Sequence, residues 1–251
     1  MITLKSTQEI EVMRQAGQIV GETLRMLRDA IKPGITTVQL DAMAKRKIES
    51  CNAQPAFLGY RGFPASICAS INEEVVHGIP GLRRLQDGDI ISIDVGVYYR
   101  GYCGDAAITF PVGEVPPRTL ELLKVTEQSL HEGLKMAWPG KRLSDISHAI
   151  QDYAESRGFS VVRNFVGHGI GSEMHEEPQV PNFGLPGKGP RLEAGMVLAI
   201  EPMVNVGTWQ VETLKDEWTV VTADRSLSAH FEHTVAILED GPTILTLIQE
   251  N

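Results

Sequence analysis

Residues 88–110 read GDIISIDVGVYYRGYCGDAAITF, two apolar, β-branched segments on either side of the turn-like centre Tyr98-Tyr99-Arg100-Gly101-Tyr102. The pattern predicts a β-hairpin with strands over 90–97 and 105–110. Each strand carries one acid among greasy neighbours, Asp94 in ISIDVGV and Asp105 in GDAAITF. An unpaired carboxylate folded into such a strand costs several kcal/mol unless a cation meets it. The hairpin brings the two acids near one another, so each worsens the other's burial, and a divalent metal would cancel both charges. Taken alone, the hairpin also allows a second reading, in which two edge acids point at water.

The chain repeats this arrangement faintly. Pro33-Gly34 followed by a predicted helix ending Glu49-Ser50 matches Pro139-Gly140 followed by one ending Glu155-Ser156. At nearly the same offset LQDGDIISID, which closes on Asp94, matches LEAGMVLAIE, which closes on Glu201. Asp105, opening DAAITF, has a looser counterpart in Glu232, opening EHTVAI. An acid at the same place in a greasy strand of each half implies two pseudo-symmetric halves. The expectation is one domain over 1–251, with halves of about 1–115 and 116–251, whose sheets meet at their middle around four carboxylates.

A third motif adds an imidazole. VGHGIG places His168 between glycines, where the backbone can turn tightly and leave the ring unobstructed. His175 follows in MHEEP and His77 sits in VVHGIP. A lone histidine is more often structural than a ligand. Three in Gly/Pro-bounded loops, beside four acids in apolar strands, reverse that weighting. His131 and His148 fall on predicted helices and His233 alternates away from Glu232, so these read as structural.

Helix signals frame the strands. Ser6 and Glu9 have capping-box spacing, ahead of Ile10, Met13, Ile19, Val20 and Leu24 on one buried side. Lys32-Pro33-Gly34 breaks that helix; others are predicted over 37–50, 118–137 and 144–157. With 23 Lys and Arg against 32 Asp and Glu, net charge −9, and no basic block, DNA binding is excluded. The opening MITLKSTQEI has no apolar run of signal-peptide length and no later stretch could span a bilayer, so no membrane partner and a cytoplasmic location are expected. Cys51, Cys68 and Cys103 are odd in number with no CxxC pair, which fits reduced thiols better than disulfides or a zinc knuckle.

Asp94, Asp105, His168, Glu201 and Glu232, set in IDVG, GDAA, GHGIG, IEPM and FEHT, resemble the five metal ligands of the methionine aminopeptidases. The resemblance runs almost from end to end, through HEEPQVPN, LKDEWTVVTADRSLSA and the ILT near the C-terminus. It is to the type I, bacterial-style members, because neither an N-terminal extension with zinc-finger cysteines nor a long insert between His175 and Glu201 is present. It implies the α+β pita-bread fold, two αβ halves with a central antiparallel sheet flanked by helices around a dinuclear metal site. Asp105 and Glu232 are then implied to bridge the metals, Asp94 to chelate one, and His168 with Glu201 to hold the other. Glu201 is also the implied proton shuttle. His77 and His175, not ligands in this reading, would orient the substrate amide and stabilise the oxyanion. A donor set of four carboxylates and one imidazole fits two ions of Mn²⁺, Fe²⁺ or Co²⁺ at least as well as Zn²⁺. Two adjacent ions sharing a water lower its pKa and give a hydroxide for attack on the first peptide bond. The substrate's free α-amine on a metal would limit cleavage to the first residue.

The resemblance further implies removal of the N-terminal, initiator methionine from nascent proteins and peptides whose second residue is small. By position the methionine pocket is walled by Phe57, Tyr60, Phe63, Cys68, Met174 and Trp218, and aromatics with a soft sulfur suit a thioether. Without the resemblance, AFLGYRGF would read as core. Phe57, Phe63 and Met174 occupy positions that vary in the family. Asn72, Glu74 and Ser228 match a region that in some members holds a monovalent cation, Na⁺ or K⁺. His230 stands where glutamine is expected; alternation puts it on the side of Glu232, where it is expected to add a titrating group and move the acid limb of the pH–rate profile. Nascent substrates imply transient ribosome association, although the acidic charge offers no rRNA-binding patch, and a monomer is expected. Two rivals remain. A proline-specific aminopeptidase or dipeptidase would share the ligands but usually carries a large N-terminal domain, and a non-catalytic pita-bread binding protein would have lost ligands.

Overall fold

The computed structural model describes residues 2–247. The chain opens with α1 (Thr7–Ala30) and α2 (Thr37–Ser50), then β1 (Gln54–Pro55), β2 (Cys68–Ile71), β3 (Glu74–Val76), β4 (Ile90–Tyr99) and β5 (Tyr102–Pro111). It continues through α3 (Pro117–Leu134), α4 (Leu143–Glu155), β6 (Ser160–Val161), β7 (Gly167–Gly169), β8 (Glu176–Val180), β9 (Val197–Ile200) and β10 (Met203–Asn205). It closes with β11 (Val211–Thr213), β12 (Val220–Thr222), β13 (Ser228–His230), β14 (His233–Leu238) and β15 (Gly241–Ile244). Among the described residues no helix is long and apolar enough to cross a membrane.

The cap read from sequence forms as expected. Ser6 accepts from the Glu9 amide while Glu9 accepts from Ser6, and all five apolar residues assigned to the inner side of α1 are buried. A second capping box, Thr36 with Gln39, opens α2. The central hairpin is longer than its apolar runs, because Tyr98 pairs with Cys103 and Tyr99 with Tyr102. The turn is therefore only Arg100-Gly101, with φ of 48° and 91°. Positive φ at both central residues gives the turn the twist that continues both strands.

Among the described residues every strand pairing is antiparallel, and two larger sheets dominate. β1, β4 and β2 with β5 form one; β15, β14, β9, β7 and β8 form the other. Each packs its apolar face under a helix pair. Val20, Leu24, Leu40 and Ile48 meet Ile91, Ile93 and Val95 in one core. Leu122, Leu130, Ile146 and Ile150 meet Leu198, Ile200, Val235 and Ile237 in the other.

The sheets join where β5 lies beside 230–234. Thr234 Oγ1 accepts from the Asp105 amide at 2.9 Å and donates to the Asp105 carbonyl at 2.8 Å. The Glu232 amide donates to the Ala107 carbonyl at 2.8 Å. Thr109 Oγ1 accepts from the His230 amide at 2.8 Å and donates to the His230 carbonyl at 2.9 Å. The contacts step by two residues along both segments, as an antiparallel ladder does, with threonine hydroxyls standing in for backbone partners at its ends.

Candidate active site

The four acids arrive at this seam by two different routes. Asp105 pairs with Gly96, and Asp94 lies two residues before Gly96 on the same face of β4, so the first-half acids are diagonal neighbours. Contrary to the sequence expectation, Glu201 and Glu232 lie outside the strands, just after β9 and just before β14. Glu201 precedes Pro202, which has no N–H for a ladder, and the chain crosses there from the five-stranded sheet to the one formed by β13, β10 and β6. The break turns both carboxylates towards the hairpin.

His168 comes from β7, between β8 and β9. Its neighbouring glycines are not there for a tight turn, as the motif was read, since neither has positive φ. A side chain on Gly167 would run into the Ala199 carbonyl, and one on Gly169 into the Glu177 carbonyl, so the glycines permit close strand approach. His168 Nδ1 faces the Gly169 carbonyl oxygen at 2.9 Å. A carbonyl only accepts, so Nδ1 carries the proton and Nε2 keeps its lone pair. Nε2 lies 3.6 Å from Glu201 Oε1 and 4.0 Å from Asp105 Oδ2.

Ligand atoms of Asp105, His168 and Glu232 lie within 4.8 Å of one another, and all three residues are buried. Asp94 and Glu201 are half-buried at the wall of the adjoining cavity. Loss of solvent, then mutual repulsion, raises Asp105, Glu201 and Glu232 well above the usual carboxylate range. Loss of solvent also pushes Asp94 up to about 7. Asp94 Oδ1, Asp105 Oδ1 and Glu232 Oε1 are buried without a hydrogen-bond partner among the described residues. Orphaned, crowded carboxylate oxygens facing an imidazole lone pair fit hard divalent cations, which would remove the electrostatic cost of the arrangement.

A cavity of about 150 Å³ opens from this cluster. Phe57, Tyr60, Phe63, Cys68 and Trp218, all assigned to a pocket from sequence, line it, as do His77 and His175. Cys68 pairs with Asp94 across β2 and β4, which ties the pocket wall to the acid floor. Met174 departs from expectation. It is buried in the same apolar cluster as Phe57, off the cavity wall, and borders a separate outer depression beside Cys103. The reason is Gly96, whose missing side chain leaves a niche filled by Phe57 and Met174.

His77, at φ 60°, stands edge-on to Phe165 and Trp218, and loss of solvent lowers it to about 4. His175 sits at the mouth, with Nδ1 2.8 Å from Tyr60 Oη and its ring 4.2 Å from that of His168. Partial desolvation and the nearby Arg61 charge lower it also. The next residue, Glu176, accepts from the buried Lys5 ammonium at 2.5 Å, so the N-terminal segment braces this strand.

His230 corrects an expectation. Its ring is buried with Nε2 3.7 Å from Glu201 Oε2, but burial, reinforced by His77, lowers it to about 3. The direction runs against an added positive charge beside Glu201. His233 is structural as expected, with Nδ1 2.9 Å from Thr246 Oγ1. Asn72 and Ser228 meet through a backbone bond of 2.9 Å, while the Glu74 carboxylate accepts from the Ile71 amide and pairs with Arg83. Sequence reasoning missed Arg61 on the cavity wall and Asn182, whose Nδ2 donates to the Glu201 carbonyl at 3.0 Å. A side-chain bond to a distant backbone carbonyl leaves no spacing signal.

Two αβ halves that pool carboxylates along one seam are the architecture of the pita-bread metallohydrolases. Within that class, residues 11–239 match metallopeptidase family M24, and the chain belongs to this family. It is 60% identical over 250 residues to a methionine aminopeptidase of Clostridium acetobutylicum, covering 99% of this chain and 100% of that one. The crystal structure of the Thermotoga maritima methionine aminopeptidase superposes with a TM-score of 0.97 at 49% identity, covering 98% of this chain and 100% of that one. A prolidase from Pyrococcus furiosus shares the fold at a TM-score of 0.79 and 22% identity, with 98% of this chain covering 66% of that longer one.

Proposed function

We infer that the chain is a metal-dependent methionine aminopeptidase, which hydrolyses the first peptide bond of peptides and nascent proteins that begin with methionine and carry a small second residue. The observation that supports this most is the continuity of the carboxylate–imidazole cluster with an aromatic, thiol-walled cavity of about 150 Å³.

In this reading Asp94, Asp105, His168, Glu201 and Glu232 are the residues that would hold the divalent ions. Bound ions supply Lewis acidity, which lowers the pKa of water towards neutrality and polarises the scissile carbonyl. Glu201 takes the proton of the attacking water and hands it to the leaving amine. His77 and His175, held neutral by their surroundings, act as hydrogen-bond donors to the substrate amide and the developing oxyanion. In this reading the Tyr60 hydroxyl donates to Nδ1 of His175, 2.8 Å away, and Nε2 carries the proton offered to the substrate. Phe57, Tyr60, Phe63, Cys68 and Trp218 enclose the thioether by dispersion and sulfur–aromatic contact. The oxygen-rich donor set accepts Mn²⁺, Fe²⁺, Co²⁺ or Zn²⁺, and a monovalent Na⁺ or K⁺ near Asn72 and Ser228 belongs to the same reading. Nascent substrates would place its work in the cytoplasm.

The test is methionine release from Met-Ala-Ser after chelation, with each divalent metal added back singly, beside Met-Leu and Ala-Pro peptides. Metal-dependent release from Met-Ala-Ser alone is expected. Cleavage of Ala-Pro in its place, or no cleavage by folded protein with any metal, would overturn the reading.

A further inference from the structure

Gly96 lies on the acid-bearing face of β4, two residues beyond Asp94 and opposite Asp105. It does not line the cavity. A Cβ built there would stand 2.5 Å from Phe57 Cε1, 2.9 Å from Phe57 Cζ and 2.8 Å from Met174 Cε. The edge of the Phe57 ring therefore occupies the place a side chain would fill, and Phe57 also lines the cavity.

The ring has little room to retreat with its backbone. Gln54 and Pro55 pair with Tyr98 and Val97, and the Ala56 amide donates to the Gly96 carbonyl at 2.9 Å. The chain carrying Phe57 is laced to the same stretch of β4. Met174 differs, because it borders the outer depression and its flexible thioether can yield outward. A side chain at 96 would displace Met174 outward and rotate Phe57 into the cavity.

We infer that Gly96 is a specificity-determining residue, its missing side chain setting how far Phe57 stands back and hence the length of first residue the enzyme accepts. The inference rests on the aminopeptidase reading above. Hydrophobic pockets discriminate one methylene by roughly tenfold or more, so a shift of the ring by part of a methyl diameter registers in substrate choice.

The experiment compares kcat/KM for Met-Ala-Ser and norvaline-Ala-Ser in wild type, Gly96→Ala and the double variant Gly96→Ala/Phe57→Leu. Gly96→Ala is expected to lower the Met:norvaline ratio by about tenfold, and the double variant to return it to within about threefold of wild type. An unchanged ratio in Gly96→Ala, whether activity is kept or lost on both peptides, would overturn the inference. Phe57→Leu alone covers the case in which Gly96→Ala does not fold. It should raise cleavage of ethionine-Ala-Ser relative to Met-Ala-Ser by about threefold or more, and no rise would count against the inference. Wild-type release of methionine in the same assay tests the aminopeptidase reading separately, so a flat ratio in an active enzyme removes only the role of Gly96.

Discussion

The Glu232 amide donates to the Ala107 carbonyl oxygen at 2.8 Å, a bond between residues more than a hundred positions apart. It is the middle rung of a short ladder whose ends are the Thr234–Asp105 and Thr109–His230 clamps. Backbone hydrogen bonds thus hold the carboxylates of Glu232 and Asp105 together against their own repulsion.

Asp105→Asn should separate the fold from the chemistry. Removing one of several crowded carboxylates is expected to stabilise the chelated protein by about 1–2 kcal/mol at pH 8, since Asp105 is raised by burial and by Glu232 and Asp94. The same change should abolish most metal-induced stabilisation and at least about 99% of activity. Thermal unfolding of chelated and metal-loaded samples reads both; a chelated variant less stable than wild type would refute the strain argument.

The pH dependence of the chelated protein follows from the same groups. Asp94 is raised to about 7, and burial and mutual repulsion raise its acidic neighbours well above the usual carboxylate range, so the folded state retains protons that the unfolded chain releases. Their contribution is full below the ordinary carboxylate range and is lost as pH rises through about 7 and beyond. His77 and His168 at about 4 and His230 at about 3 act in the opposite sense, costing stability as pH falls from about 6.5 towards those values. Chelated protein should therefore melt lower at pH 8.5 than at pH 7, while metal-loaded protein should not. Parallel melting curves for the two forms across this range would contradict the assignment.

Thr234→Val keeps the shape of a fully buried residue and removes both bonds to the Asp105 backbone. An unsatisfied amide and carbonyl are left at the seam, which should cost about 2–4 kcal/mol in urea unfolding. Metal affinity should weaken with it, because the lost clamp positions Asp105. A loss under about 0.5 kcal/mol would mean that the seam does not depend on the hydroxyl.

His230→Gln should leave the acid limb of the pH–rate profile where it is, since the ring is already neutral above pH of about 3. Glutamine keeps a polar group near Glu201, so kcat should change by no more than about threefold. A displaced acid limb would show that the buried imidazole titrates during turnover.

Much of this molecule is written in short-range pattern. The start of α1 follows from the Ser6–Glu9 capping box and its end from Pro33-Gly34, because caps are satisfied within a few residues of themselves. The hairpin and its diagonal acids follow from period-two alternation. The internal repeat pointed to Glu201 and Glu232 as partners of Asp94 and Asp105, although both occupy breaks between strands; where a strand stops depends on which sheet takes up the next residue. The glycines beside His168 could be seen but not interpreted, since the carbonyls of Ala199 and Glu177 that crowd them come from other strands. Met174 beside Phe57 at Gly96, Asn182 on the Glu201 carbonyl and the burial of His230 were beyond reach for the same reason. Sequence alone determined which groups are candidates for the chemistry, because their types and local settings are encoded beside them. Only the tertiary structure decided which side chains share a surface and how much solvent each one keeps, because both depend on packing between segments that the chain places far apart.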